Sequence, residues 1–410
     1  MKQKGKRTLT PKLRFPEFRD RGEWQEKTGD SLFDQVNDRN SDPGLPVLAI
    51  TQEHGAIPRN MIDYHVTVTE KSIEKYKVVQ VGDFIISLRS FQGGIEYSQY
   101  HGICSPAYVI LSRRTKGSDA YFKHYLKTDR FIRVLTRNLE GLRDGKMISY
   151  KQFSELLLPV PSPSEQQKIA ECLSSLDLLI AAGGRKLAGL RDHKHGLMQQ
   201  LFPQPGQTQP RLRFPEFRGK GEWEIRELAE FITERNEYPN EKLPLYSLTI
   251  EEGVTAKMGR YDRSFLVNNE VDAYKLIMPD DFVYNPMNLR FGAIGRYSGT
   301  EQVTVSKYYN VFSCNNTVDS RFCEIYFKSE GMIAFYDNMA IGSLIEKRRV
   351  HFSAFLEFKI RFPGLSEQRR IADCLTALDT LIAAQAAKIE SLKQHKRGLM
   401  QQLFLAPEEV

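Results

Sequence analysis

Several kinds of residue are scarce in this chain, and each scarcity removes a class of protein. Only 2 tryptophans and 5 cysteines occur in 410 residues. The cysteines are Cys104, Cys172, Cys314, Cys323 and Cys374; none forms a Cys-x-x-Cys pair, and their number is odd. A zinc ribbon or a disulfide framework is therefore not expected. No run of 18 apolar residues occurs, so no membrane-spanning helix is expected. Met1–Arg7 is basic, but no apolar segment follows it, so it does not read as a secretory leader. A cytoplasmic location is expected. There is no P-loop, His-Glu-x-x-His or Gly-x-Ser-x-Gly motif. His193 and His195 stand at i, i+2, which places them on different helix faces and does not suggest a metal site.

What is present suits packed domains. Hydrophobic residues make up 41% of the chain, and the length fits two or three domains. A net charge of +7 and a pI near 8.9 permit a polyanionic partner without demanding one.

The dominant signal is an internal repeat. Pro11-Lys-Leu-Arg-Phe-Pro-Glu-Phe-Arg-Asp-Arg-Gly-Glu-Trp24 returns as Pro210-Arg-Leu-Arg-Phe-Pro-Glu-Phe-Arg-Gly-Lys-Gly-Glu-Trp223, at an offset of 199. A second element, residues 164–202, returns as 366–404 with 24 identities in 39 positions. Between these elements the copies differ far more. Asp83-Phe84-Ile85 still corresponds to Asp281-Phe282-Val283, and Tyr125-Leu-Lys-Thr128 to Tyr326-Phe-Lys-Ser329. A frame that repeats while its surfaces diverge suits a molecule making two related but distinct contacts.

The second element predicts a long helix in each copy. Its apolar residues are Ile169, Leu173, Leu176, Ile180, Leu187, Leu190, Leu197 and Leu201, matched by Ile371, Leu375, Leu378, Ile382, Ile389, Leu392, Leu399 and Leu403. Steps of four and three alternate, which is the 3.5-residue period of a coiled-coil seam. At 1.5 Å per residue each helix would be about 58 Å long. A seam this narrow needs a partner, and the other copy is the nearest one. Two-fold duplication would pair the helices antiparallel. The competing reading is that each helix packs on its own head. Ser164 and Ser366 are the expected N-caps, with Gln167 completing a capping box in the first copy. Gly183-Gly184 and Gln385-Ala386 interrupt the seam midway, and Lys194 and Lys396 occupy seam positions where they would help fix register.

The intervening segments read as mixed α/β heads. Short β-rich runs are followed by helical pattern at residues 121–138 and 322–338. The expected organisation is a first head over 11–163, a helix over 164–202, a linker over 203–210, a second head over 211–363 and a helix over 364–404. Polar loops between strands carry Arg59, Asn60, Arg89, Ser90 and Gln92 in the first head. The second carries Asn285, Asn288, Arg290, Lys347, Arg348 and Arg349. Arg, Asn and Gln are the side chains that grip guanine or adenine edges with paired hydrogen bonds, so these are the candidate DNA-binding residues. Asn285-Pro286-Met287 matches only part of the Asn-Pro-Pro-aromatic motif of amino-methyltransferases, and Phe291-Gly-Ala-Ile-Gly295 has the wrong glycine spacing for their cofactor loop. No catalytic, cofactor-binding or metal site is expected in the chain.

Leu-Arg-Phe-Pro-Glu-Phe with Gly-Glu-Trp at 13–24 and 212–223, Pro-x-Pro-x-Glu-Gln at 161–166, and Gly-Leu-Met-Gln-Gln-Leu-Phe at 196–202 and 398–404 together carry a resemblance. The chain resembles the specificity subunit of type I DNA restriction–modification systems over nearly its whole length. Pro363-Gly-Leu-Ser-Glu367-Gln368 departs slightly from its first-copy counterpart. The resemblance implies two target-recognition domains, each reading one half of a split, asymmetric DNA site, with the paired helices setting the gap. It also implies assembly with two methylation subunits, which bind S-adenosylmethionine, and with restriction subunits that use ATP and Mg. The chain itself would be non-catalytic. The alternative is a duplicated protein–protein scaffold that does not bind DNA.

Overall fold

A computed structural model describes residues 9–39, 44–62, 75–114, 119–137, 148–204, 206–256, 273–342 and 348–405. The chain divides into two compact units, residues 1–184 with 387–410, and residues 185–386. Each unit therefore holds one head together with a stretch of both long helices.

The first head contains strands β1 (Gln25–Thr28), β2 (Phe33–Val36), β3 (Leu48–Thr51), β4 (Gly55–Pro58), β5 (Lys77–Val79), β6 (Phe84–Ile86), β7 (Glu96–Tyr97), β8 (Gly102–Cys104), β9 (Val109–Arg113) and β10 (Leu157–Val160). They form a four-stranded sheet in the order β2-β9-β6-β7 and the pairs β1-β10, β3-β4 and β5-β8. The second head contains β11 (Glu224–Glu227), β12 (Ile232–Glu234), β13 (Tyr246–Thr249), β14 (Gly253–Ala256), β15 (Tyr274–Ile277), β16 (Phe282–Tyr284), β17 (Ile294–Arg296), β18 (Val303–Ser306), β19 (Asn310–Cys314) and β20 (Lys359–Phe362). Its order is β12-β19-β16-β17, with pairs β11-β20, β13-β14 and β15-β18. The two heads share one topology strand for strand, although their sequences between the motifs have drifted. The central strands explain why this frame persists. All three residues of β6, Phe84-Ile-Ile, and of β16, Phe282-Val-Tyr, are buried. The preceding acids also recur for a local reason. Asp83 accepts the Gln80 N–H at 2.8 Å, and Asp281 the Met278 N–H at 2.7 Å, closing the same turn.

The named strand pairs are antiparallel, so the heads are α+β. The helical pattern after them is broken in two places that the sequence reading missed. Asp119–Tyr125 and Asp129–Arg137 are separate helices, as are Ser320–Phe327 and Glu330–Met339. Thr128 Oγ1 accepts from Phe131 N at 3.3 Å, and Ser329 Oγ from Met332 N at 3.4 Å. These equivalent hydroxyls restart the chain as a new helix.

The long helices run without interruption over Pro163–Leu201 and Leu365–Leu403, 39 residues each. They begin one residue before the expected caps. Ser162, not Ser164, offers its Oγ to Glu165 N at 3.4 Å, and Gln167 turns to Glu171 instead, at 2.9 Å. In the second copy the Gly364 carbonyl accepts from Glu367 N at 2.9 Å, and Ser366 lies inside the first turn. The expected seam residues are all buried or half-buried.

Within the first unit, Ile169 and Leu173 share a core with Leu403 and Phe404, while Asp177 meets Lys396 at 2.5 Å. Rising numbers on one helix meet falling numbers on the other, so the pair is antiparallel. In the second unit Ile371 and Leu375 share a core with Leu201 and Phe202, and Asp379 meets Lys194 at 2.6 Å. Packing on a head and pairing with the other helix thus both occur. Each head is completed by the start of its own helix and by the end of the other one. Phe404 lies 5.5 Å from Tyr121 and 5.8 Å from Tyr125, and Phe202 lies 5.8 Å from Phe322 and 5.1 Å from Tyr326, ring centre to ring centre. No helix among the described residues is long and apolar enough to cross a membrane.

Candidate functional site

The most faithfully repeated polar residues hold the head to the helix. Arg14 donates to Glu165 through Nε at 2.7 Å and Nη2 at 2.7 Å, and its Nη1 reaches the Arg21 carbonyl at 2.6 Å. Arg213 repeats this on Glu367, at 2.7 Å for both bonds, with Nη1 on the Gly221 carbonyl at 2.7 Å. The carboxylates are almost wholly buried, at 1% and 3% exposure. A planar guanidinium matched to a carboxylate by two parallel bonds is the arrangement only arginine gives. The hydrogen bond to each glutamate also raises the pKa of its arginine. On the outside of the same motif, Lys168 lies 5.8 Å above the Phe15 ring and Arg370 4.6 Å above Phe214. The repeated motifs therefore explain assembly of each unit rather than discrimination.

Discrimination needs a place where frame and side chains part company, and one such loop follows the central strand. In the first head Ser90–Gly93 forms one helical turn, flanked by Arg89 at φ −109°, ψ 5° and by Gly94 at φ 80°. In the second, Leu289–Phe291 forms a turn flanked by Asn288 at φ −109°, ψ 3° and by Gly292 at φ 89°. The positive φ explains the glycine at the end of each turn. In the first head the space explains it too, since a Cβ on Gly94 would come within 2.1 Å of the Leu126 carbonyl oxygen. The turns open alike but differ in length by one residue and part at the closing glycine, where ψ is −163° at Gly94 and 17° at Gly292. Counted back from those glycines, Arg89, Ser90 and Gln92 stand where the second head has Met287, Asn288 and Arg290.

Of the first-head candidates, Asn60, Arg89 and Gln92 are exposed. Ser90 is not: it is 1% exposed, and its Oγ accepts from Ser87 N at 2.9 Å, so it builds the loop. Arg59 is half-buried in the turn Arg59–Met61, and its Nε and Nη1 lie buried with no hydrogen-bond partner among the described residues. It stands at the far end of β4 from the hairpin tip. That tip carries Gln52, whose Nε2 donates to the Arg89 carbonyl at 3.4 Å. Two neighbours were not anticipated. Lys127 pairs with buried Glu96 and also reaches the Gln52 carbonyl at 3.4 Å. Burial raises the Glu96 pKa against the opposing pull of Lys127.

In the second head Asn288 and Arg349 are exposed. Asn285 spends its Oδ1 on the Met287 N–H at 3.0 Å, shaping the loop. Lys347 lies outside the described residues. Arg290 and Arg348, 58 positions apart in sequence, are brought together by a residue the sequence reading passed over. Arg290 Nη1 and Arg348 Nη1 each donate to Asp337 Oδ1 at 3.2 Å. Arg290 also lies 4.4 Å from the centre of the half-exposed Phe291 ring. An acid on a helix face looks like any solvated residue in sequence, so nothing there pointed to Asp337. Among the described residues no group of three or more His, Cys, Asp or Glu is placed to hold a metal ion.

A duplicated chain whose two heads keep one frame and change the side chains of one loop belongs to the class of two-headed recognition proteins. The comparison with known families makes the class specific. The chain belongs to the family described as type I restriction modification DNA specificity domain, matched over residues 23–190 and again over 220–394. Among curated relatives, the type I restriction enzyme MjaVIII specificity subunit of Methanocaldococcus jannaschii is 23% identical over 83% of this chain and 81% of its own length. The putative type I restriction enzyme MjaX specificity subunit of the same organism is 22% identical over 88% of this chain and 86% of its own. The solved type I restriction–modification S subunit of M. genitalium covers 98% of this chain and 100% of its own, with a TM-score of 0.51 at 16% identity, a likeness of fold. The chain is thus a DNA specificity subunit of a type I system, the family the repeated motifs implied.

Proposed function

We propose that each head reads one half of a bipartite, asymmetric DNA site, and that the length of the paired helices fixes the number of base pairs between the halves. The observation that carries this reading is the loop after the central strand, where turns at the same place in a shared frame, one residue different in length, present different side chains. Half-sites of different sequence call for such a device. In this reading the chain works in the cytoplasm and is itself non-catalytic. Two methylation subunits bring S-adenosylmethionine, and restriction subunits bring ATP and Mg. The net charge of +7 is compatible with a DNA partner, whose phosphates release counterions when contacted.

The test is exchange of residues 225–357 for those of a relative, in cells expressing the chain with its methylation partner. Methylated positions are then mapped by sequencing. One half of the methylated site changes and the other stays. A change in both halves, or in neither, refutes the reading. Inserting one heptad in each long helix near Gly183 and Gln385 alters the gap between half-sites, and an unchanged gap refutes the role given to the helices. Binding by the purified complex falls steeply with salt, as expected when phosphates are contacted.

A further inference from the structure

The second head contains an arginine held more tightly than a solvated surface residue needs to be. Arg290 is 11% exposed at its side chain, lies over Phe291, and has its Nη1 fixed by Asp337 at 3.2 Å. Its Nε and Nη2 have no hydrogen-bond partner among the described residues. Asp337 is itself anchored. Arg348 donates Nη1 to Asp337 Oδ1 at 3.2 Å, Nε to the Ala340 carbonyl at 3.2 Å, and Nη2 to the Asp337 carbonyl. Arg348 thus uses all three of its nitrogens internally, while Arg290 keeps one edge of its guanidinium unspent. Both arginines line a depression of about 590 Å³ that opens to solvent, together with Phe291, Ile333, Asp337 and Glu330.

We propose that Asp337 is a positioning residue: it holds Arg290 so that its Nε–Nη2 edge reads a guanine in the half-site taken by the second head. The inference rests on the reading that each head takes one half-site. Two features favour a base edge over a phosphate. Glu330 and Asp337 line the same depression as the two arginines, and two carboxylates there offset the charge attraction a phosphate requires. A guanidinium with one nitrogen fixed and an adjacent pair free is a directional donor, and the O6 and N7 of guanine are the paired acceptors that match it. The first head has Gln92 in place of Arg290 and Thr136 in place of Asp337, so this device belongs to one half-site only.

The experiment maps methylated sites in cells that express the full chain with its methylation partner. The variants are Arg290→Lys, Asp337→Asn and Asp337→Glu. Arg290→Lys and Asp337→Asn relax the same single position, a required G·C pair in one half-site, with discrimination falling about tenfold or more. Asp337→Glu keeps most of it. The purified Asp337→Asn complex binds DNA lacking the site as well as, or more tightly than, the unaltered complex, because a negative charge has been removed. A merely structural ion pair would instead weaken both kinds of binding together. The proposal is overturned if Asp337→Asn does that, if it relaxes a different position from Arg290→Lys, or if the G·C requirement survives Arg290→Lys. Should Asp337→Asn fail to yield folded protein, Asp337→Ser takes its place with the same expected and overturning results, and Arg290→Lys tests the base contact. Relaxation in both half-sites would refute the one-head, one-half reading instead, so the two failures are distinguishable.

Discussion

The twin arginine–glutamate clamps permit a sharp prediction, because they differ in one hydrogen bond. Arg14→Met removes both bonds to Glu165 and leaves that carboxylate 1% exposed, with Trp24 Nε1 at 3.2 Å as its remaining side-chain donor. Breaking a buried ion pair from one side costs about 3–5 kcal/mol. For a unit of this size each kcal/mol lowers Tm by roughly 2–4 °C, so a fall of about 6–20 °C is expected. Arg213→Met does the same to Glu367, but Trp223 Nε1 has no hydrogen-bond partner among the described residues. Glu367 therefore loses more, and the second clamp costs about 1–2 kcal/mol more than the first. Each unit contains one tryptophan, so Trp223→Phe and Trp24→Phe backgrounds let fluorescence follow urea unfolding of the units separately. Arg14→Met combined with Glu165→Leu recovers most of the loss, since no charge is then left buried. A cost under about 1 kcal/mol for Arg14→Met, or no recovery in the double variant, refutes the account of the clamp.

Two further outcomes follow from the first unit and its counterpart. His124 is 3% exposed, 3.4 Å from Ser174 Oγ and 3.9 Å from Asp177; burial first, and then Lys396, push its pKa down to about 4. Below about pH 6.5 the unfolded chain takes up a proton that the folded chain refuses, so stability is lost as pH falls from 6.5 to 4. The loss reaches about 3 kcal/mol at most, and His124→Gln removes that share of the pH dependence in denaturation curves; an unchanged slope refutes it. Gly94→Ala costs at least about 2 kcal/mol in thermal unfolding, because strain at φ 80° adds to contact with the Leu126 carbonyl oxygen. Gly292→Ala costs about 1–2 kcal/mol, since there the obstacle is the end of the Ile333 side chain at 3.2 Å, which can move; equal costs refute the distinction.

Much of the architecture is legible in the sequence, because it rests on local and periodic features. The duplication is a matter of identity at fixed offsets. The seam from Ile169 to Leu201 and from Ile371 to Leu403 follows from a 3.5-residue period, and every position it names is buried or half-buried. The strands around Phe84 and Phe282 follow from short apolar runs. Caps were less legible: Ser162 and Ser164 offer the same hydroxyl, and only the path of the chain selects between them. The helix breaks at Thr128 and Ser329 were hidden for a similar reason, since a Thr or Ser inside an amphipathic pattern is compatible with continuing the helix.

Tertiary structure alone decided which polar residues matter and for what. Arg14 and Glu165 are 151 positions apart, and Arg290 and Arg348 meet only through Asp337. Ser90 looked like a reader and is instead buried in its own loop, while Asn285 shapes a turn. Side-chain type sets what hydrogen bonds a residue can make. Which of them are already satisfied within the protein, and which remain for a partner, depends on neighbours that folding brings from elsewhere in the chain. The sequence therefore determined a unit used twice, with its paired helices and its family. The fold determined that the constant residues clamp each head to its helix, and that variation is displayed on a loop at the same place in each head's frame.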